Sequence, residues 1–134
     1  MNQVILYQQD NGTVAIIRPT EEALATMTIE QIATKDVPAG IAFRIVNDDE
    51  IPTDRTFRNA LKYDLTVDMP KAVSITQDRL RAERKPLLEA QDVLFNRALE
   101  SGADTKAIVV EKQRLRDITK ISVTTLDELK ELSA

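Results

Sequence analysis

The segment "DMPKAVSITQDRLRAERKPLLEAQDVLFNRALE", residues 68–100, decides the fold of this 134-residue chain. Its apolar side chains follow the period of an α-helix. Four of them recur every seven residues, at Val73, Leu80, Leu87 and Leu94. Asp68 can cap the helix, and Pro70 suits a first turn, where no backbone N–H is needed. The sequence therefore predicts one helix from about Pro70 to Glu100, about 46 Å long.

Pro86 lies inside this predicted helix. Proline has no backbone N–H, and its ring would press against the carbonyl of Ala82, so we expect the helix to kink or break there. The heptad partners of this apolar series are polar, at Gln77, Arg84 and Gln91. A long regular coiled coil is therefore not predicted.

Helix signals continue to the C-terminal end of the sequence. Gly102 is a typical helix stop and Asp104 a typical cap, which predicts a second helix from about Thr105 to Ile118. A short connection between two helices makes them antiparallel. Thr125 with Glu128 forms a capping box, so a short terminal helix should follow it.

The first part of the chain carries strand signals instead. Val4–Tyr7 and Val14–Ile17 are rich in β-branched residues, and Asn11 and Gly12 between them tolerate the positive φ of a tight hairpin turn. A third strand is predicted over Ile41–Val46, where apolar residues alternate.

Two short helices are predicted between the hairpin and the third strand. Thr20 followed by acidic residues fits a helix start, and Thr28 with Gln31 forms a capping box for a helix over Ile29–Thr34. The predicted fold class is α+β. Residues 1–67 form a small head of three strands with short helices, and residues 68–134 form a helical hairpin arm with a short terminal helix.

The composition excludes several kinds of site. The chain contains no cysteine and no histidine, so disulfides, cysteine nucleophiles, Ser-His-Asp triads and most transition-metal sites are excluded. The acidic run at Asn47–Glu50 lacks the spacing of a calcium loop and is interpreted as a solvated loop. We expect no enzymatic activity, no cofactor and no metal site. A carboxylate-based hydrolase remains an alternative without a supporting motif.

Two further sequence features bear on partners. No window approaches the roughly 20 apolar residues of a membrane span, and the start lacks the pattern of a signal peptide, so we expect no membrane partner. The net charge of −4 argues against general nucleic-acid binding, which needs clustered Lys and Arg.

The stretch "IPTDRTFRNALKYD", residues 51–64, is predicted to be the joint between head and arm. Pro52 sets an extended entry, Thr53 or Asp54 can cap a turn, and Phe57 is its apolar anchor. Arg55 and Arg58 leave two interpretations open. They pair with the acidic run of the same chain, or they engage carboxylates or carbonyls of a partner.

A basic cluster on the two long helices is the remaining candidate site. It consists of Arg81, Arg84, Lys112 and Arg116. Acidic residues are interleaved at helical spacing, which favours a salt-bridged, solvated face over a phosphate site. If the hairpin does bring these cations together, an acidic protein surface is a more plausible partner than DNA. A regulatory nucleic-acid-binding protein is kept as an alternative function.

The motifs "AERKPLLEAQD" and "EKQRLRDIT" resemble the C-terminal helical region of small tailed-bacteriophage proteins encoded near tail-fibre genes. These include tail-fibre assembly proteins and tail assembly chaperones. The matching positions are Arg84, Leu87, Leu88, Asp92, Arg114, Leu115, Arg116 and Asp117. The segments "DVPAGIAFRIV" and "IPTDRTFRNAL" are similar to the head of uncharacterised phage tail-region proteins.

This resemblance implies a non-enzymatic tail protein that binds other tail proteins. A second copy of the chain is kept as an alternative partner. The first expectation is a structural connector of the fibre or baseplate in the virion tail. The alternative is an assembly chaperone that stays in the host cytoplasm. The expected partner interface comprises Arg55, Phe57, Arg58, Val73, Leu80, Leu87, Leu94, Ile108 and Leu115.

Overall fold

The computed structural model describes residues 2–134 and confirms the α+β fold class. The chain divides into two compact units, one that ends at Asp68 and one that spans Met69–Ala134. The first, the sheet unit, contains all three strands. The second, the helical unit, contains the three helices α3, α4 and α5 whose bounds are given below.

A three-stranded antiparallel sheet is the centre of the sheet unit. Its strands are β1 (Gln3–Gln8), β2 (Val14–Ile17) and β3 (Phe43–Asn47), in the order β2-β1-β3. Ile5 at the middle of β1 lies opposite Ile17 on one side and Ile45 on the other. Gly12 has φ 83° in the turn between β1 and β2, a conformation that glycine adopts without steric cost.

Both faces of the sheet are covered. Side chains alternate along β1, so Val4 and Leu6 pack on one face with Ile51, while Ile5 packs on the other with Ile32 of the helix described next. Each face therefore has its own apolar cluster, and a register slip of one residue would exchange the two sets.

Two short helices precede β3. They are α1 (Glu21–Thr26) and α2 (Ile29–Asp36). Thr28 caps α2 through a capping box in which its hydroxyl accepts from the Gln31 N–H and the Gln31 side chain accepts from the Thr28 N–H. The third strand begins at Phe43, two residues later than predicted. A turn reaches Ile41, whose N–H donates to the Pro38 carbonyl over 3.1 Å, so the chain is not yet extended at Ile41.

Short 3-10 turns and loops follow β3. The turns span Asp48–Glu50 and Arg58–Ala60. The side chain of Asp54 accepts hydrogen bonds from the Thr56 backbone N–H and hydroxyl. Leu65 is the one non-glycine residue with positive φ among residues 2–134, at 70°, and its side chain packs against the cluster that contains Leu6.

The helical unit consists of α3 (Met69–Ser101), α4 (Lys106–Asp117) and α5 (Leu126–Glu131). Gly102 ends α3 with φ 70°, and the Ala103 N–H donates back to the Ala98 carbonyl over 2.8 Å. The Thr125 hydroxyl caps α5 by accepting from the Glu128 N–H.

The predicted break at Pro86 is wrong, because α3 runs through it from Met69 to Ser101. Pro86 is exposed, so its ring faces solvent. Contacts on both sides of it hold the helix, since Arg84 donates to the Arg116 carbonyl and Asp92 pairs with Lys112. These contacts offset the one backbone hydrogen bond that proline removes. None of the helices in residues 2–134 combines the length and apolar content needed to cross a bilayer.

Candidate protein-binding surfaces

One side of α3 packs against α4 and the loop after it. The Gln77 amide donates to the Thr119 carbonyl over 3.1 Å, and the Arg84 guanidinium donates to the Arg116 carbonyl over 2.9 Å. Further along α3, Lys112 pairs with Asp92 at 2.7 Å. This side of α3 is therefore occupied along most of its length.

A second side of α3 carries a strip of residues spaced alternately four and three apart. Such spacing places side chains on one face of a helix. The strip consists of Thr76, Leu80, Glu83, Leu87, Ala90, Leu94 and Arg97.

This strip is covered at its N-terminal end and exposed beyond it. Thr76 and Leu80 are fully buried, and α5 packs against this half of α3, where Arg79 donates to the Leu129 carbonyl over 3.0 Å. Leu87 is 41% exposed and Leu94 is 46% exposed. The side that is buried near α5 thus continues as an open apolar surface.

The structure divides the predicted interface residues of the helical unit into two groups. Leu80 and Leu115 are fully buried, so the prediction that they contact a partner is wrong for this conformation. Val73 and Ile108 are half-buried. Leu87 and Leu94 are exposed and remain candidates for a partner contact.

The candidate site residues in the segment 51–64 also differ from one another in burial. Phe57 is buried at 6% exposure, and Arg55 is exposed. Arg58 donates to the Val14 carbonyl of β2 over 2.6 Å. Partial burial, followed by the positive charges of Arg55 and Arg18, lowers the pKa of Arg58 from its usual value.

The interpretation in which Arg55 and Arg58 neutralise the acidic run is wrong. Arg18 from the end of β2 forms the ion pair with Asp48, and Glu50 accepts from the Asn47 N–H over 2.8 Å. Neither Arg55 nor Arg58 forms an ion pair among residues 2–134. Arg58 instead holds a strand carbonyl, which leaves Arg55 as the one of the two that is exposed.

The basic residues of the cluster contact different groups within the chain. Arg81 pairs with Asp78 at 2.8 Å, and Lys112 pairs with Asp92 and lies 5.0 Å from the centre of the Phe95 ring. The Arg84 guanidinium donates to backbone carbonyls at the end of α4, where a positive charge is favourable. Arg116 is exposed. The cations do not form an open stripe of unpaired charge.

The remaining shifted pKa values have local causes. Hydrogen bonds from Thr66 lower the pKa of Asp64, and the hydrogen bond from Arg114 lowers the pKa of Glu111. The same contact raises the pKa of Arg114. Hydrogen bonds from Lys120 and Gln113 lower the pKa of Asp117. All four groups are at the surface, which is not the arrangement of a buried acid and base poised for catalysis.

A cleft of about 740 Å³ lies in the sheet unit beside β1, α1 and α2. Its charged lining residues are Arg18, Glu21 and Asp48, and the first and last of these pair with each other. No group of three or more Asp or Glu in residues 2–134 is arranged to hold a metal ion. The cleft therefore offers no convergent set of reactive groups.

Sequence reasoning missed four members of the α3 strip: Thr76, Glu83, Ala90 and Arg97. The heptad pattern followed only Val73 and the leucines that continue it every seven residues. A search for residues spaced alternately four and three apart, with polar and small residues included, would identify the whole strip.

Comparisons with known proteins found no relative of this chain. The chain matches no protein-family model, no curated protein and no solved structure at a significant level.

Proposed function

We propose that this chain is a non-enzymatic protein-binding component of a bacteriophage tail, a connector of the tail fibre or baseplate that stays in the virion. The observation that carries the proposal is the exposure of Leu87 and Leu94 on one side of α3. Two large apolar side chains two turns apart on one helix face are typical of a surface that a partner covers.

The sequence motifs supply the biological setting. The segments around Leu87 and Arg116 resemble helical regions of proteins encoded near phage tail-fibre genes. The exposed leucine Leu87 lies inside the first of these motifs. The proposal therefore places a partner-binding residue in the part of the chain on which the resemblance rests.

A nucleic-acid-binding function receives less support. Binding to phosphates needs several unpaired cations on one surface. Arg81 and Lys112 already pair with carboxylates, and Arg84 donates to backbone carbonyls.

Mass spectrometry of purified virions tests the proposal. We expect the chain at a fixed copy number relative to the tail tube protein. Its detection only in lysates of infected cells would contradict the connector and favour an assembly chaperone.

Capture of tail proteins from infected cells provides a second test. Wild-type chain should retain a fibre or baseplate protein, and a Leu87→Glu/Leu94→Glu variant should lose most of it. A matched Val109→Glu/Val110→Glu variant changes two exposed apolar residues of α4, away from the strip, and should bind as wild type. Equal capture by all three forms would remove the strip from the proposed interface.

A further inference from the structure

The exposed part of the α3 strip is complementary to itself. We define the exposed α3 strip as the half-buried Glu83 with the exposed residues Leu87, Ala90, Leu94 and Arg97. An acid stands at its N-terminal end, a base at its C-terminal end and the smallest side chain at its centre. Ala90 lies seven residues from both the acid and the base.

This order fits a two-fold contact between two copies of the chain. In an isologous interface the same patch lies on both subunits, and residue i of one copy meets residue j of the other. If two α3 helices run antiparallel with the axis at Ala90, Glu83 of each copy lies opposite Arg97 of the other. Leu87 then packs beside Leu94 of the other copy. We propose that the exposed α3 strip binds the same strip of a second copy in this antiparallel arrangement.

The charges at the ends of the strip select this orientation. The Arg97 side chain is exposed and its guanidinium has no ion-pair partner among residues 2–134. Both Glu83 carboxylate oxygens accept from the Arg79 guanidinium, at 3.4 and 3.0 Å, and each oxygen retains a further acceptor site. A parallel pair would place Glu83 against Glu83 and Arg97 against Arg97. Opposite charges thus favour the antiparallel pair, and like charges oppose the parallel one.

The centre and the flanking leucines suit close helix packing. Ala90 is exposed and small, which allows two helix axes to approach to about 8 Å. Upstream along α3, the chain already accepts a helix, since α5 packs near Arg79, next to buried Leu80. A second copy of α3 would continue this packing onto Leu87 and Leu94.

The length of the strip sets the expected affinity. From Glu83 to Arg97 a helix rises about 21 Å. A single helix pair of this length buries less than the roughly 800 Å² per partner of a standard interface. We expect a dimer with a Kd in the micromolar range. Both proposals use Leu87 and Leu94, so they are tested apart: the virion measurement tests the tail function, and a strip that binds a tail protein in place of a second copy would overturn self-association.

Sedimentation equilibrium of the full chain, from about 10 μM to about 1 mM, tests the dimer. Wild type should shift from monomer to dimer across this range. Leu87→Glu/Leu94→Glu should weaken the dimer at least about tenfold, because it places four carboxylates in the contact. The Val109→Glu/Val110→Glu variant, which changes only α4, should associate as wild type. A wild-type chain that is monomeric throughout, or a dimer that both variants leave unchanged, would overturn the proposal.

A charge exchange tests the antiparallel orientation. Glu83→Lys alone places Lys against Arg97 twice in each dimer, and Arg97→Glu alone places Glu against Glu83 twice, so each variant should remain monomeric. An equimolar mixture restores two opposite-charge contacts and should dimerise. A mixture that stays monomeric, with both variants folded by circular dichroism, would exclude this orientation.

A cysteine at the proposed axis tests the register without disturbing the leucines. The chain has no native cysteine, so Ala90→Cys provides a single thiol. Under mild oxidation it should form a disulfide between copies much faster than Val110→Cys, because bridged Cα atoms must lie within about 7 Å. Equal rates would overturn the register at Ala90. A monomeric chain whose strip captures another virion protein would assign the strip to that partner and overturn self-association.

Discussion

At the scale of single residues, this chain places side-chain oxygens against nearby backbone N–H groups at its turns. The Asp54 carboxylate accepts hydrogen bonds from the backbone N–H and the hydroxyl of Thr56, two residues later. Asp64 accepts the same two bonds from Thr66. These contacts are short-range, so they can form before the tertiary structure does. They shape the loops that follow β3.

The Asp64 turn provides a test through its pKa. Two hydrogen bonds from Thr66, of which that from the hydroxyl matters most, hold the pKa of Asp64 below its usual value. A carboxyl with a lowered pKa stabilises the fold above the pKa of the unfolded chain, and the contribution is lost as the pH falls through the folded value. Thr66→Val removes the hydroxyl, so the pKa of Asp64 should rise.

A carbon-detected NMR titration of the Asp64 carboxyl measures this change. Thr53→Val, at an exposed threonine that forms no hydrogen bond with Asp64, is the control and should leave the Asp64 pKa unchanged. An unchanged pKa in Thr66→Val would show that the hydroxyl does not cause the shift.

At the scale of elements, the long helix α3 is held by contacts to both α4 and α5. Arg84 donates to α4 carbonyls, and Arg79 donates to the Leu129 carbonyl of α5. Buried Leu80 and Leu115 add apolar packing. Most helix stability comes from such packing rather than from propensity, so α3 tolerates a proline that an isolated helix would not.

Replacement of that proline tests its cost. Pro86→Ala returns an N–H that can donate to the Ala82 carbonyl, and we expect the helical unit to gain about 1 to 3 kcal/mol. Urea unfolding followed by far-UV circular dichroism measures the gain. Lys85 is the exposed neighbour of Pro86, and lysine and alanine are both good helix formers. Lys85→Ala should therefore shift the free energy of unfolding by less than about 0.5 kcal/mol. A lower midpoint for Pro86→Ala than for wild type would contradict the expected cost.

At the scale of the whole molecule, charge argues for protein partners. The chain carries 18 basic and 22 acidic side chains, for a net charge of −4. Basic residues that lie close together in the sequence form contacts within the helical unit. Lys112, for example, pairs with Asp92. The exposed leucines of α3 are therefore a stronger recognition feature than its basic residues.

Binding to nucleic acid should accordingly be absent. We expect no change in fluorescence anisotropy when the full chain is added to labelled duplex DNA or single-stranded RNA at low salt, because few cations are free to neutralise phosphates. An Arg81→Ala/Arg84→Ala/Arg116→Ala variant serves as the comparison. Affinity that falls steeply with salt and is lost in this variant would revive the nucleic-acid alternative.

Residues close together in the chain account for the class of fold and for much of its local structure. The hairpin at Gly12, the capping box at Thr28, the hydroxyl cap at Thr125 and the stop at Gly102 depend on residues a few positions apart. Their physical causes are turn conformation and capping, which act within the local chain. The same reasoning failed at Pro86, where distant contacts offset a local defect.

Only the tertiary structure decided which apolar residues are available to a partner. Leu80 and Leu87 occupy equivalent heptad positions, yet Leu80 is fully buried and Leu87 is 41% exposed. The difference depends on elements distant in the chain, since α5 packs on α3 beside Leu80, where Arg79 donates to the Leu129 carbonyl. Burial depends on the positions of elements distant in the chain, and periodicity within one helix does not contain that information.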